Sequence, residues 1–163
     1  MKTKNVIEQA KAQRVCDEWH CRMVKDPSVE NLCKMYFDGD DWAMENDFPS
    51  VEVLRKFRGQ TENYGMFTDY TGMPNILKKA AFFGNSDVKL IYNAFSVSEL
   101  IFRHNAKAII KATDNAKVFI NLLDNAELDI ECYENAIVEV FSYGNENIKM
   151  IGDVRIHKSS FKK

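Results

Sequence analysis

The chain is poor in the residues that build secreted, fibrous or disordered proteins. Three prolines and seven glycines in 163 residues are too few for a low-complexity or triple-helical chain. Cys16, Cys21, Cys33 and Cys132 lack the dense spacing of a disulfide scaffold. Three fall in predicted helices and one at a predicted core position, so reduced thiols are expected. Neither sign of charge dominates, with 22 Lys and Arg against 24 Asp and Glu and a net charge of −2. The signs alternate along the chain, leaving no basic stripe to neutralise phosphates, so nucleic acid is not an expected partner. No apolar run is long enough to span a bilayer, and the opening stretch meets Glu8, Gln9 and Lys11 before any run of signal-peptide length. No membrane partner is expected, and the chain reads as cytoplasmic.

Catalytic motifs are missing too. There is no Gly-rich phosphate loop, no Gly-x-Ser-x-Gly elbow and no His and Asp at motif spacing. His20, His104 and His157 stand apart in sequence. No cofactor is expected, and the chain is read as not an enzyme.

What is present is an apolar fraction of 45% beside 28% charged residues, ordinary for a chain that folds alone. Residues 1–75 read as a helical cap and connector. Ala12, Val15, Cys16, Trp19 and Met23 recur at spacings of three and four, which predicts one helical stripe between Val6 and Val24. Asp26-Pro27-Ser28 ends that helix and starts a second, through Val29, Leu32, Cys33 and Tyr36 to Gly39. A short helical segment capped by Asp40 or Asp41 follows. A further helix is predicted from Val51 to about Arg58, closed by Gly59. Gly65, Gly72 and Pro74 mark the connector.

Residues 76–157 read as a β-solenoid, with 158–163 a charged tail. Asn-Ala opens a ten-residue unit at Asn105, Asn115, Asn125 and Asn135. Counted from Asn, the fourth position holds Val88, Ser98, Ala108, Val118, Leu128, Val138 and Ile148. The sixth holds Leu90, Leu100, Ile110, Ile120, Ile130, Val140 and Met150. Apolar residues at every second place predict half-buried strands with the even positions inside. The repeat therefore begins near Asn85, and its second unit carries Phe95 in place of Asn. The fold class is mainly β, a single-stranded β-helix of ten-residue units with a small N-terminal α-helical cap. Asn suits the turns because it tolerates left-handed backbone angles. Asn85, Asn105, Asn115, Asn125, Asn135 and Asn145 are expected to stack as a turn ladder.

Outward charges predict the coil. With two units per coil, Asp87 stacks on Lys107 and Lys107 on Glu127, and Lys111 on Glu131, all opposite in sign. With three, Glu99 meets Asp129. Opposite charges on neighbouring strands are favoured, so a twenty-residue coil is expected. Such a solenoid has two ends whose unpaired edges need protection. The helical region is expected to cover the first. At the other, the tail blocks growth or the last coil forms a dimer surface.

Three clusters invite chemistry. Cys16, His20, Cys21 and Cys33 are metal-ligand types, but Cys21 points about 100° from His20 on a helix, and no zinc spacing is matched, so no metal is expected. Asp38, Asp40, Asp41, Glu45 and Asp47 resemble a calcium loop, yet Trp42 and Ala43 stand where that loop needs an oxygen ligand and a glycine. Asp114, Asp124 and Glu134 end successive units and suit carboxylate pairs for sugar hydrolysis, though turn formation explains them more simply. The expected binding residues are the outward apolar Ile109, Phe119, Ile137, Phe141 and Ile151, a patch on a charged wall.

The run from Asp114-Asn115-Ala116-Lys117-Val118 through Gly144-Asn145 resembles the Gly/Asp-Asn-Ala-x-Val decapeptide repeats of bacterial and phage proteins of unknown function. Glu45-Asn46-Asp47-Phe48-Pro49, Tyr64-Gly65-Met66-Phe67 and Phe83-Gly84-Asn85 look like the helical leader of some members, often on mobile elements. The resemblance implies a fold and brings no catalytic residue with it. Three functions stay open: a non-enzymatic scaffold binding a protein partner or a second copy, a carbohydrate-binding or carbohydrate-active β-helix using corner carboxylates, and a mobile-element regulator of a host protein.

Overall fold

The computed structural model describes residues 2–75 and 78–161. The chain forms two compact units that divide between Met66 and Phe67.

The first unit is helical, with α1 (Thr3–Ala12), α2 (Asp17–Lys25), α3 (Val29–Asp38), α4 (Asp40–Glu45), α5 (Val51–Arg55) and a 3-10 turn at Glu62–Tyr64. The single helix expected from Val6 to Val24 is in fact two. Arg14 takes φ 62°, the Val15 N–H donates to the Ala10 carbonyl at 3.0 Å and the Arg14 N–H to the Lys11 carbonyl at 3.0 Å. These bonds form a Schellman stop, here with arginine where glycine is usual, so no glycine announced it. Asp26-Pro27-Ser28 behaves as expected, for the Ser28 hydroxyl accepts the Asn31 N–H at 3.2 Å and starts α3. Val6, Ala10, Met23, Met35 and Leu54 are buried in this unit.

From the unit boundary onward, with Met66 as the first strand residue, the chain is a stack of strands: β1 (Met66–Thr68), β2 (Thr71–Gly72), β3 (Lys79–Phe83), β4 (Asp87–Tyr92), β5 (Val97–Phe102), β6 (Lys107–Ala112), β7 (Lys117–Leu122), β8 (Glu127–Cys132), β9 (Ile137–Ser142), β10 (Ile148–Gly152) and β11 (Val154–Lys158). The stretch read as connector thus contributes β1 and β2. Ile76 and Leu77, expected near the start of the first strand, lie outside the described residues. Odd-numbered strands form a six-stranded sheet in the order β1-β3-β5-β7-β9-β11, and even-numbered strands a five-stranded sheet in the order β10-β8-β6-β4-β2. Successive strands alternate between sheets, so this is a β-solenoid with two faces per coil.

The register bears out the twenty-residue coil. Asp87 pairs with Lys107, Lys107 with Glu127 and Lys111 with Glu131. Lys107 and Glu127 approach to 3.4 Å, as do Lys79 and Glu99. Even positions point inward, giving strict alternation of exposed and buried residues along β4 and β6.

The core tapers. In the odd-strand sheet the last inward column descends from Phe82 through Phe102 and Leu122 to Ser142. Phe67, Phe82 and Phe102 stack with centroids 5.1 and 4.9 Å apart. In the other sheet the column runs Tyr92, Ala112, Cys132, Gly152. The terminal coil is correspondingly short: Val154 pairs with Val138, and Asp153 alone separates β10 from β11.

Candidate functional site

Each corner of the solenoid is a tight turn. The Ala106 N–H donates to the Arg103 carbonyl at 3.3 Å, and Ala116, Ala126 and Ala136 repeat the bond to Thr113, Leu123 and Tyr133 at 3.2 Å. The left-handed residue is not Asn, as expected, but the one before it: Gly84, Ala94, His104, Asp114, Asp124, Glu134 and Gly144 all have positive φ. Ala106, Ala116, Ala126 and Ala136 are buried, because the corner leaves no room for a larger side chain.

That preceding residue also builds the ladder. Asp114 Oδ2 accepts the Ala94 N–H at 2.8 Å, Asp124 Oδ2 the His104 N–H at 2.9 Å and Glu134 Oε2 the Asp114 N–H at 2.9 Å. His104 Nδ1 accepts the Gly84 N–H at 3.1 Å. Each side chain reaches back one coil to a backbone donor that the turn exposes, and a charge-assisted acceptor there is among the stronger hydrogen bonds. Among the described residues the ladder of Asn side chains has one rung, from Asn105 Nδ2 to Asn85 Oδ1 at 3.3 Å. Asn115 and Asn135 sit at the opposite corner from Asn85, Asn105, Asn125 and Asn145, since alternate units turn at alternate corners. Asn145 is buried, and its amide donates to the carbonyls of Asp124 at 2.9 Å and Ala126 at 2.8 Å.

The corner carboxylates are tied into the turns. Asp114 and Glu134 occupy one corner and Asp124 the other, and each is held by a backbone N–H. Asp124 further accepts Arg103 Nε at 3.1 Å, drawing a buried guanidinium into the corner. Among the described residues no three His, Cys, Asp or Glu side chains converge as metal ligands. Cys16 and Cys21 are exposed while Cys33 and Cys132 are buried, and none is in a disulfide. Burial, with the nearby Glu62 carboxylate, pushes the Cys33 thiol up to about 12.

The outward apolar residues divide between two walls. Phe119, Ile137 and Phe141 lie on the odd-strand sheet, and Ile109 and Ile151 on the other. Phe119 pairs with Glu139 and Asn121 with Phe141, while Phe141 stacks on His157 with centroids 5.0 Å apart. Phe119, Phe141 and Tyr143 line a shallow groove with Glu99, so three rings share a wall but Ile109 and Ile151 do not join them. Phe95, standing where other units carry Asn, is 81% exposed at a corner. Its misplacement in the repeat was the visible signal.

The largest departure from the repeat lies at the last coil. Ile148, Met150, Val154 and Ile156 continue the inward columns, pairing with Leu128, Ile130, Val138 and Val140. Met150 is nevertheless 51% and Ile156 44% exposed, because no described strand stacks beyond β10 and β11. The strands β10 and β11 end their sheets, so among the described residues no strand neighbours their outer backbone groups. The expected core residue Met150 is thus a surface residue. A cleft of about 450 Å³ opens in the last coil between Ser142, Asn145, Ile148 and Ile156. Of the outward side chains here, Arg155 approaches Glu139 at 3.8 Å and Asp153 at 3.3 Å, and His157 Nε2 lies 3.7 Å from Glu139.

Fold and site together define a β-solenoid with an open apolar terminal coil. No protein family, no curated protein and no solved structure matches the chain. Among the described residues no helix is long and apolar enough to cross a membrane.

Proposed function

We propose that the chain is a non-enzymatic scaffold whose terminal solenoid coil binds a second copy of itself end to end. The observation that carries this reading is the uncovered inward column of β10 and β11, with Met150 and Ile156 about half exposed beside two unpaired strand edges. An edge of this kind is a template for another strand. A two-fold axis across it sets inward residues of one copy against those of the other and closes the assembly at a dimer. Pairing of Arg155 with Glu139 and Asp153 offsets part of the positive charge of this end as two copies approach. The four free cysteines support the cytoplasmic placement, and the decapeptide pattern supports a bacterial or phage origin.

Light scattering across a size-exclusion peak tests the reading. A dimer is expected, reduced to monomer by Met150→Lys with Ile156→Lys, both at exposed positions where the fold tolerates charge. A wild-type chain that stays monomeric at high concentration sinks it.

A further inference from the structure

We propose that the helical unit holds a binding site for a small organic cation whose charge is shielded by alkyl groups, an alkylated or quaternary ammonium. A cavity of about 330 Å³ opens among α2, α3, α4 and Phe48, within the range of ordinary ligand pockets. Trp19 from α2, Tyr36 from α3, Trp42 from α4 and Phe48 supply aromatic walls. Trp42 and Phe48 meet at 5.2 Å with planes inclined by 58°, so the two rings are tilted against each other. Gly39 brings the backbone close: a Cβ there would stand 3.0 Å from Trp19 Cη2. The indole consequently packs on the junction of α3 and α4, beside Asp38, Asp40 and Asp41.

Those three aspartates also line the cavity, and no cationic side chain does so among the described residues. Aromatic faces carry negative quadrupole potential and hold cations, most strongly on Trp. Within the chain itself the Arg22 guanidinium carbon lies 5.0 Å from the Trp19 ring centroid, a cation–π contact over that ring. The cavity carries the proposal, and the carboxylates set the sign of the charge it accepts. Its walls of rings, thioethers and methyl groups decide the class of cation. A primary ammonium would bring three N–H donors against ring, thioether and methyl surfaces that offer no strong acceptor, so only the carboxylates, of which Asp38 and Asp41 are exposed, could replace its hydration. A quaternary ammonium has no donor to satisfy and places methyl groups against the rings.

The chain's two tryptophans both line the cavity, so intrinsic fluorescence reports on it directly. Choline is titrated into the full chain at constant ionic strength, beside 3,3-dimethylbutan-1-ol, its uncharged isostere, and ethanolamine, its primary counterpart. Choline is expected to give a saturable change, and each analogue to bind about tenfold more weakly or worse, the loss of one cation–π and charge contribution. Asp38→Asn with Asp41→Asn, at exposed positions, is expected to weaken choline by a similar factor with the near-ultraviolet circular dichroism unchanged. No saturable response to choline overturns the site. Equal binding of the uncharged isostere reduces it to an apolar hollow, and equal binding of ethanolamine overturns the alkylated class. Wild-type choline affinity in the double variant removes the carboxylates from it. This site lies in the other unit from the terminal coil, so its failure leaves the dimer untouched.

Discussion

Asp124 holds a corner of the solenoid through two bonds accepted by one oxygen, one from the His104 N–H and one from Arg103 Nε. Asp114 accepts a single N–H at the opposite corner. Replacing Asp124 with Ala is expected to cost about 1–3 kcal/mol, because an exposed turn donor and a buried guanidinium lose a charged acceptor. Asp114→Ala is expected to cost about 1 kcal/mol. Urea denaturation ranks the two, and equal losses would mean Arg103 gains nothing from Asp124. Asp124→Asn keeps an acceptor for His104 and recovers part of the loss. Gly152 is a second critical position: it takes φ 90°, and a Cβ there would stand 1.7 Å from the Cys132 carbonyl oxygen. Gly152→Ala is expected to cost about 1–3 kcal/mol by overpacking, lowering the melting temperature by several degrees. An unchanged thermal scan would show that the terminal coil is not held in this register. The acidic residues before Asn115, Asn125 and Asn135 were legible as turn formers. Which of two adjacent polar residues takes the left-handed angle was not, because Asp and Asn share the same local preferences.

Among the elements, the terminal coil differs most from its neighbours. Strand β7 lies between β5 and β9, while β10 and β11 each have one neighbour and their side chains are largely exposed. Amide hydrogen exchange is expected to be fast along the outer edge of β10 and β11 in the monomeric Met150→Lys with Ile156→Lys variant and slow along β7, since sub-global opening follows burial and pairing. In the wild-type chain the same amides are expected to slow as concentration rises, as a covered edge requires. Uniform exchange across β7 and β10 would rule out a weakly held end. The strands themselves were legible from alternate apolar residues. The exposure of Met150 was not, because alternation reports which face a residue occupies and carries no information on whether another coil follows. The break between α1 and α2 escaped for a related reason: the apolar stripe continues through Gln13–Cys16 while the backbone does not, and Arg14 gives no warning of a left-handed stop.

For the whole molecule, burial divides the thiols. Cys16 and Cys21 are expected to react with an aromatic disulfide reagent in the native state at pH 8, whereas Cys33 and Cys132, buried and pushed upward, respond only after denaturation. Four fast thiols in the native protein would contradict the core. The same burial makes stability pH-dependent on the alkaline side. Cys33 and Tyr92 are each pushed up to about 12, chiefly by desolvation. Their contribution is fully present below the ordinary thiol and phenol range and is lost as pH rises toward about 12, because the unfolded chain releases protons that the native chain retains. Denaturant midpoints are expected to fall steadily above about pH 9; a flat profile there would mean these groups titrate normally in the folded state.

The ten-residue period and the alternation within it determined, without any coordinates, that this chain makes short parallel strands with an apolar inside. The signs of its outward charges selected a coil of twenty residues. These properties are local or repeat at a fixed interval, so they can be read along a line. Tertiary structure decided which turn residue reaches back to which backbone donor, how the narrowing core shortens the final coil around Gly152, where that coil is left open, and how Trp19, Trp42 and three aspartates come to face one cavity. Each of those depends on contacts between residues whose separation obeys no repeat, and only packing in three dimensions brings them together.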